Sequence, residues 1–346
     1  MHAANIHVLM TGAGAPGAAG IIKCLQQENY VRLTVADANP DATGRYLIKD
    51  FVCIPKGDAP DFAQELLRIC IQRKVNVLMP LVTRELTALS KQKKNFEKEG
   101  IRVLVSSEES IERANNKSAT YRFLKEHGIA VPKFFVVHTI DQFIHAAFEL
   151  GHPQKPFCFK PSFSNGSRGV RIVNDAIDQS TQLFDEKPYQ LHMAYAQALS
   201  ILSSRPFPEL LLSEYLPGEE YSVDCIAFHG QSKLIVPRLR KKMINGISVE
   251  GILIEDQVII DYCKRVIDVL KLHGNVGIQL KMSEQNKPLL LEINPRVQGT
   301  IVAALGAGVN LPLLAIKQEL GIPINEDEMK VRWGTGFSRY WTEVFY

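Results

Sequence analysis

Short apolar runs alternate with longer amphipathic stretches through the first hundred residues. Strands are predicted at residues 6–10, 31–36, 51–54, 75–80 and 101–105, and helices at residues 21–28, 61–74 and 83–100. Short, continuous apolar runs are typical of strands that are buried on both faces. Because strands that alternate with helices favour parallel pairing, residues 1–112 are predicted to form a Rossmann-like α/β domain.

The pattern changes after residue 112, where strands begin to follow one another. Strands are predicted at residues 157–160, 210–214, 220–224, 233–242, 277–281 and 289–291, and helices at residues 110–127, 256–272 and 311–320, with a mainly helical region at 175–204. In the helix at 256–272, the side chains of Val258, Tyr262, Val266 and Val269 are expected to share one buried face. This part of the chain is therefore predicted to be α+β, and the aromatic residues of segment 321–346 are expected to pack on its core.

A glycine-rich loop, with Gly12, Gly14 and Gly17, lies between the first strand and the first helix. This spacing is typical of dinucleotide sites, in which backbone amides bind a pyrophosphate and an acid such as Asp37 binds a ribose. A second hypothesis needs no ligand, because any doubly wound domain requires small residues where its first strand turns into its first helix. Pro16 restrains the loop and favours this second hypothesis.

Composition describes an ordinary globular protein. The 346 residues are 46% hydrophobic and 22% charged, and 40 basic against 37 acidic residues give a net charge of +3, which offers no electrostatic case for binding nucleic acid. Six cysteines are scattered without metal-ligand or redox spacing, as expected in a reducing compartment. No cationic leader or bilayer-length apolar stretch is apparent, so we expect a cytoplasmic protein without a membrane partner.

Two hard oxygen donors end the strand predicted at residues 289–291. Side chains alternate along a strand, so Glu292 and Asn294 are expected to lie on the same face, with Arg296 one step further and Gln279 on the preceding strand. Carboxylate and amide oxygens suit Mg²⁺ that bridges phosphates, and a guanidinium suits the remaining phosphate charge. The alternative is an ordinary strand and turn with a surface acid.

Three further stretches carry candidate chemistry. Lys160 immediately precedes a polar loop, residues 161–170, whose small residues would let backbone amides approach phosphate oxygens, although a plain hairpin has the same pattern. Arg238 and Arg240 share a strand face, either toward a ligand or on a charged edge strand. Thr83 and Glu85 follow a strand end, where such sheets bind ligands, or else they are the cap and a first-turn acid of a helix.

The sequence Glu292-x-Asn294-Pro-Arg296, with Gln279 upstream, closely resembles the metal site of ATP-grasp enzymes, especially those like the carbamoyl-phosphate-synthase large chain. The resemblance spans roughly residues 6–320, and each motif occurs once and in family order. It implies a pre-ATP-grasp domain at 1–112, an ATP-grasp domain at 113–320 with its lid at about 120–212, and a C-terminal tail at 321–346. We therefore expect one ATP-grasp unit, where the synthase has two.

The resemblance also implies a role for each matching residue. Metal ligands would be Gln279, Glu292 and Asn294, and the catalytic cations, which address the γ-phosphate or the acceptor, would be Arg296, Arg240 and Arg238. Nucleotide would be bound by Lys117, Lys160, Ser162, Ser167, Arg168, Gly169, Glu214, Tyr215, Leu216 and Glu220, the last through ribose hydroxyls. Two positions depart from the family pattern, since Asn116 replaces an acid before Lys117 and Gln279 is neutral where many relatives have an acid.

The activity implied by the resemblance is an ADP-forming ligase that joins a carboxylate to an amine or ammonia through an acyl phosphate. Its expected cofactors are ATP and Mg²⁺, with Mn²⁺ as a substitute, and its partners are small-molecule substrates, with a homodimer left open. A nicotinamide-dependent oxidoreductase, based on the first glycine loop alone, and an ATP-binding module without turnover are the competing hypotheses.

Overall fold

The computed structural model describes residues 5–164, 168–178, 180, 184 and 191–346, organised around three sheets. The first sheet is parallel, with the order β3-β2-β1-β4-β5. Its strands are β1 (Ile6–Met10), β2 (Val31–Asp37), β3 (Phe51–Cys53), β4 (Val77–Met79) and β5 (Arg102–Val103), and its helices are α1 (Ala18–Leu25), α2 (Gly44–Leu47), α3 (Phe62–Arg73) and α4 (Thr83–Lys98). The predicted Rossmann-like architecture is confirmed.

The second sheet is mixed and has the order β6-β10-β7-β8-β9. It contains β6 (Phe134–Val137), β7 (Phe157–Pro161), β8 (Arg171–Val173), β9 (His192–Met193) and β10 (Leu210–Glu214), covered by α7 (Ile140–Glu149) and α8 (Tyr195–Ser203). A separate apolar core, which includes Phe143, Phe157 and Leu212, joins these helices to the sheet. The second sheet and its two helices therefore form a layered unit with an apolar core of its own.

The third sheet is antiparallel and six-stranded, in the order β15-β14-β11-β12-β13-β16. Its strands are β11 (Glu220–Phe228), β12 (Gln231–Ile244), β13 (Ile247–Leu253), β14 (Gly274–Met282), β15 (Pro288–Asn294) and β16 (Gly336–Ser338). One face packs on α6 (Lys117–Glu126) and α9 (Gln257–Val269) through side chains such as Val223, Ile278 and Leu290. Because side chains alternate, the opposite face receives the polar residues of the same strands.

Two predictions about helices were wrong in detail. The helix predicted at residues 110–127 is broken at Asn116 into α5 (Glu108–Asn115) and α6, because Asn116 leaves helical geometry and its Oδ1 accepts from the Ala119 amide at 3.0 Å. On α9, Val258 is exposed rather than buried, and Ile259 occupies the core instead. A hydrophobic spacing alone does not fix which member of a helical face contacts the sheet.

The C-terminal segment packs only in part. Trp333 and Phe337 lie against the core, and Phe337 belongs to β16, which pairs with β13. Tyr340 and Trp341 are more than four-fifths exposed, so the packing expected of the aromatic tail does not extend to them. No helix in the part of the chain that the structure describes is long and apolar enough to cross a membrane.

The glycine-rich loop contacts the segment that follows β15. A Cβ on Gly17 would lie 2.1 Å from the Cα of Gly299, and a Cβ on Gly20 would lie 2.9 Å from Val302. The helices α10 (Val302–Gly306) and α11 (Leu311–Glu319) then pack against α1 within one core that joins the first and third sheets. Gly17 is therefore required by the close approach of two backbones.

We expect Gly17→Ala to lower the free energy of unfolding by about 1–3 kcal/mol, because the added methyl group would overpack a backbone contact that cannot move without disturbing both sheets. Urea unfolding at equilibrium measures this change. Gly306→Ala is the matched control, since no atom would lie within 4 Å of the methyl group that it adds. It should unfold at the same urea concentration as the wild type or at a slightly higher one. Equal stabilities of the two variants would contradict the packing role of Gly17.

Candidate active site

The polar face of the third sheet brings the predicted metal residues together. Gln279 on β14 is paired directly with Glu292 on β15, and Gly277 is paired with Asn294. Glu292 Oε1 accepts from Asn294 Nδ2 at 3.2 Å, which confirms that these two side chains share a face. The arrangement places one carboxylate and two amide groups at the end of a strand pair.

Arg296 extends this group toward the N-terminal domain. Its guanidinium donates to Asn294 Oδ1 at 3.4 Å, to the Val297 carbonyl at 2.8 Å and, through Nε, to Thr83 Oγ1 at 3.1 Å. The interpretation of Thr83 as a helix cap is wrong, because the cap position of α4 is Val82. Thr83 instead connects the carboxyl-terminal edge of the parallel sheet to Arg296.

Two lysines lie close enough to Glu292 to interact with it electrostatically. Lys160 on β7 is buried, and its Nζ donates to the Leu291 carbonyl at 2.7 Å. Burial lowers its pKa to about 8, with Glu292 opposing the shift and Lys117 adding to it. Burial also lowers the pKa of Lys117, whose Nζ donates to the Ser164 carbonyl at 2.8 Å.

The departure at Asn116 has a structural explanation. The Asn116 side chain caps α6, so Lys117 becomes the first residue of that helix and its side chain is directed to Ser164. An acid at this position would cap a helix equally well. The helix start at Asn116 therefore sets the direction of the Lys117 side chain.

The loop after β7 contains the predicted phosphate residues. Gly169 has a φ of +76°, and a Cβ there would lie 2.7 Å from Pro161, so glycine is required. Arg168 is exposed beside it, and Ser167 lies outside the described residues. Ser162 is fully buried and its polar groups are engaged with Ser118, Glu209 and Lys117, so the structure does not present it to a ligand.

The segment after β10 contains the residues predicted to contact adenine. Glu214 uses its carboxylate to accept from the Lys133 amide at 2.7 Å. Tyr215 is half-buried, and the Nζ of Lys281 lies 4.9 Å from the centre of its ring. Leu216 is buried, so any base edge would be met here by backbone groups.

Arg238, Arg240 and Glu220, which were predicted to bind ligands, form ion pairs within the third sheet. Arg240 pairs with Glu220 and donates through Nε to Ser248 Oγ at 2.9 Å. Arg238 pairs with Asp224 at 3.2 Å and is only 1% exposed. The interpretation of β12 as an edge strand is wrong, because this strand lies between β11 and β13 and both arginines are buried.

Arg238 is the predicted catalytic residue that the structure supports least. Burial raises the pKa of Asp224 while Arg238 opposes the shift, and the guanidinium lies 5.5 Å from the centre of the Phe337 ring. A cation enclosed by an acid and an aromatic ring is not presented to a ligand. We therefore assign Arg238 to the structure of the sheet, and retain Arg240 and Arg296 near the polar face.

The glycine-rich loop does not have the geometry of a dinucleotide site. Asp37 Oδ2 accepts from the Gly14 amide at 2.8 Å and Oδ1 accepts from the Asn39 amide at 2.8 Å, so both oxygens already bind backbone. Gly17 packs on Gly299 rather than lining an open cradle. These contacts support the structural hypothesis for this loop.

Glu85 is a buried acid at the carboxyl-terminal edge of the parallel sheet. It is 4% exposed and accepts from the Thr11 hydroxyl. Burial raises its pKa to about 7, against the lowering effects of Thr11 and Arg296. The prediction that Glu85 is a first-turn acid of a helix is confirmed, since it is the third residue of α4.

The free energy of unfolding of Glu85→Gln, relative to that of the wild type, is expected to increase by about 2–3 kcal/mol between pH 5 and pH 8. The folded-state pKa of Glu85 lies above its ordinary value of 4.5, so folding takes up a proton between these values. That contribution is complete below the ordinary value and is lost as pH rises through about 7. Urea unfolding at both pH values measures it, and Glu99→Gln, an exposed acid next to the end of α4, should show no such gain.

The donor set on the polar face fits Mg²⁺. Carboxylate and amide oxygens are hard ligands, and a site with so few of them leaves room for phosphate oxygens. Within the described ranges, no three His, Cys, Asp or Glu side chains are grouped as in an all-protein metal site. The residues present therefore match a metal that is held jointly with a nucleotide.

Comparison with protein families agrees with this fold and site. Residues 206–342 match the family described as ATP-grasp in the biosynthetic pathway with Ter operon, and residues 8–104 match the PylC-like N-terminal domain. These matches support an ATP-grasp protein of the carbamoyl-phosphate-synthase-like type. The expected family is thus confirmed.

Individual relatives are distant. The chain is 27% identical over 245 residues to the carbamoyl phosphate synthase large chain of Pseudothermotoga lettingae, a match that covers 67% of this chain and 20% of the relative. It spans about a fifth of the length of the curated relatives that it matches. The aligned region therefore corresponds to only a minor part of each relative.

Two solved structures show the same fold at low sequence identity. One is the carboxyaminoimidazole ribonucleotide synthase of Aspergillus clavatus complexed with ATP, with a TM-score of 0.70, 14% identity and coverage of 95% of this chain and 80% of that one. The other is the biotin carboxylase domain of a Hydrogenobacter thermophilus 2-oxoglutarate carboxylase with MgADP, with a TM-score of 0.68, 15% identity and coverage of 96% and 73%. The expected cofactors, ATP and Mg²⁺, agree with these complexes.

Proposed function

We propose that this chain is an ADP-forming ligase that joins a carboxylate to an amine or ammonia through an acyl phosphate. One observation carries the proposal: Glu292 and Asn294 on the third sheet, Lys160 on β7, Lys117 at the start of α6, and Arg296 converge on one region. Both the Lys117 and Lys160 ammonium groups interact electrostatically with Glu292. Such a group of cations beside hard oxygen donors suits a metal-bound polyphosphate.

The chain's own residues would perform most of the chemistry by positioning and by charge. Gln279, Glu292 and Asn294 would hold Mg²⁺, which neutralises phosphate charge when bound. Lys160 and Lys117 would contact the phosphates of ATP, and the backbone of residues 214–216 would contact adenine. Arg296 would lie where charge develops on the transferred phosphoryl group, with Arg240 and Glu220 alongside.

The reaction has two steps. A carboxylate oxygen attacks the γ-phosphorus, the bond from that phosphorus to the ADP oxygen breaks, and an acyl phosphate forms. The amine nitrogen then attacks the carbonyl carbon, phosphate leaves, and the nitrogen loses a proton. Neither step needs a protein nucleophile, because binding both substrates beside these charges supplies the orientation.

The proposal is tested by measuring ADP and phosphate release with MgATP while carboxylic acids and amines are added in pairs. We expect release that requires both an acid and an amine. ATP binding without acid-dependent release would favour a regulatory module. A rise in melting temperature with NAD(H) or NADP(H), but not with MgATP, would overturn the proposal in favour of an oxidoreductase.

A further inference from the structure

A cleft of about 560 Å³ lies between the N-terminal domain and the loop that follows β7. Thr83 and Thr87 on α4 line one wall, and Phe163 and Ser164 line the other. Its volume is in the range of sites that bind small organic molecules. None of the residues assigned to adenine or metal lines it, so the cleft borders the proposed phosphate loop but is separate from the adenine and metal positions.

Two hydrogen bonds connect this cleft to Arg296 and to Lys117, which is proposed to contact the phosphates of ATP. Thr83 Oγ1 accepts from Arg296 Nε at 3.1 Å, and the Ser164 carbonyl accepts from Lys117 Nζ at 2.8 Å. Thr83 and Ser164 belong to opposite walls of the cleft. A molecule bound there would therefore extend toward the point where Arg296 and Lys117 would contact the terminal phosphate.

The lining indicates the chemical class of that molecule. Arg84 and Arg168 are the charged residues of the lining, and no acid is among the described residues that form it. Arg84 has only a distant, solvent-exposed ion pair with Asp58 at 3.8 Å, which contributes little. The cleft therefore favours a negative charge over a positive one.

The lining also offers an apolar surface. The Phe163 side chain is 69% exposed, and Pro161 and Pro208 lie in the same cleft. A ligand that covered the Phe163 ring would gain free energy from the apolar area removed from water. Bicarbonate would cover little of this surface and would leave most of the cleft to water.

We infer that the acid substrate is an organic carboxylate with an apolar part, bound in this cleft with its carboxylate toward Arg296 and Lys117. This inference rests on the proposed ligase function and narrows it. It distinguishes this chain from an enzyme that uses bicarbonate as its carboxylate.

The inference is tested by measuring acid-dependent ADP release with ammonia and amino acids as the amines. Bicarbonate is compared with a panel of aliphatic and aromatic monocarboxylic acids. We expect at least one acid of the panel to give a higher rate of ADP release than bicarbonate. Thr87→Glu should raise KM for that acid about tenfold by charge repulsion and leave KM for ATP unchanged. Asn95→Glu, which adds the same charge at an exposed position two turns further along α4, is the matched control and should change neither.

A binding measurement separates the site from turnover. With MgADP present, the active acid should raise the melting temperature of the wild type and of Asn95→Glu, but less that of Thr87→Glu and Phe163→Ala. The inference would be overturned if only bicarbonate supported ADP release. It would also be overturned if the KM and the melting-temperature shift of the active acid were the same in Thr87→Glu and Phe163→Ala as in the wild type. Either result would leave the ligase proposal intact. The absence of ADP release with bicarbonate and with every acid of the panel would contradict both the inference and the ligase proposal.

Discussion

Glu292→Gln is expected to lower the rate of ADP formation by about a hundredfold to a thousandfold, the effect of removing one preorganised charge from a phosphoryl-transfer site. Glu292 is the only carboxylate among the three proposed metal ligands, so its loss removes the charge that attracts Mg²⁺ most strongly. The fold should be retained, because the amide oxygen of the substituted side chain would still accept from Asn294 as the Glu292 carboxylate does. Initial rates over a range of Mg²⁺ concentrations measure the effect.

The control for this substitution lies in the same hairpin. Glu284 is exposed in the turn between β14 and β15, so Glu284→Gln makes the same chemical change away from the site and should retain full activity. Gln279→Ala should be milder than Glu292→Gln, since it removes a neutral ligand. Wild-type activity of Glu292→Gln at ordinary Mg²⁺ concentration would refute the assigned metal site.

Lys160→Met is expected to weaken ATP binding about tenfold to a hundredfold, which corresponds to about 1.5–3 kcal/mol for one charge-assisted contact. Methionine keeps the apolar stem of the buried side chain while it removes the ammonium group. Calorimetric titration with MgADP or MgATP measures the loss. Lys155→Met, an exposed lysine just before β7, is the matched control and should bind like the wild type.

The pKa of Lys160 gives this prediction a second test. Its value of about 8 means that the ammonium group deprotonates near that pH, whereas bound phosphates would stabilise the charged form. Wild-type affinity for ATP should therefore fall above about pH 8, by up to about tenfold per pH unit, and the fall should be absent in Lys160→Met. A wild-type affinity that is constant between pH 7 and 9 would contradict the role of Lys160.

Much of the architecture was predictable because it depends on local patterns. Alternating apolar runs and helices specified the parallel domain, and strand alternation placed Glu292 and Asn294 on one face before their register with Gln279 was known. The break at Asn116 was missed, although an Asn followed by a helical stretch is a helix-start signal. Val258 was placed wrongly because a face spacing leaves the rotation of a helix undetermined.

Other features depend on which segments meet, and no local pattern contains that information. Local patterns are enough to predict the strand that carries Glu292 and Asn294, the lysine before the polar loop, and the family that these motifs resemble. Gly17 packs on Gly299 and Arg296 donates to Thr83 only in the folded chain, because the residues of each pair are more than two hundred positions apart. Arg238 and Arg240 illustrate this difference. The alternation of side chains predicts that both lie on one face of their strand, but their partners, Asp224 and Glu220, follow from the pairing of β12 with β11.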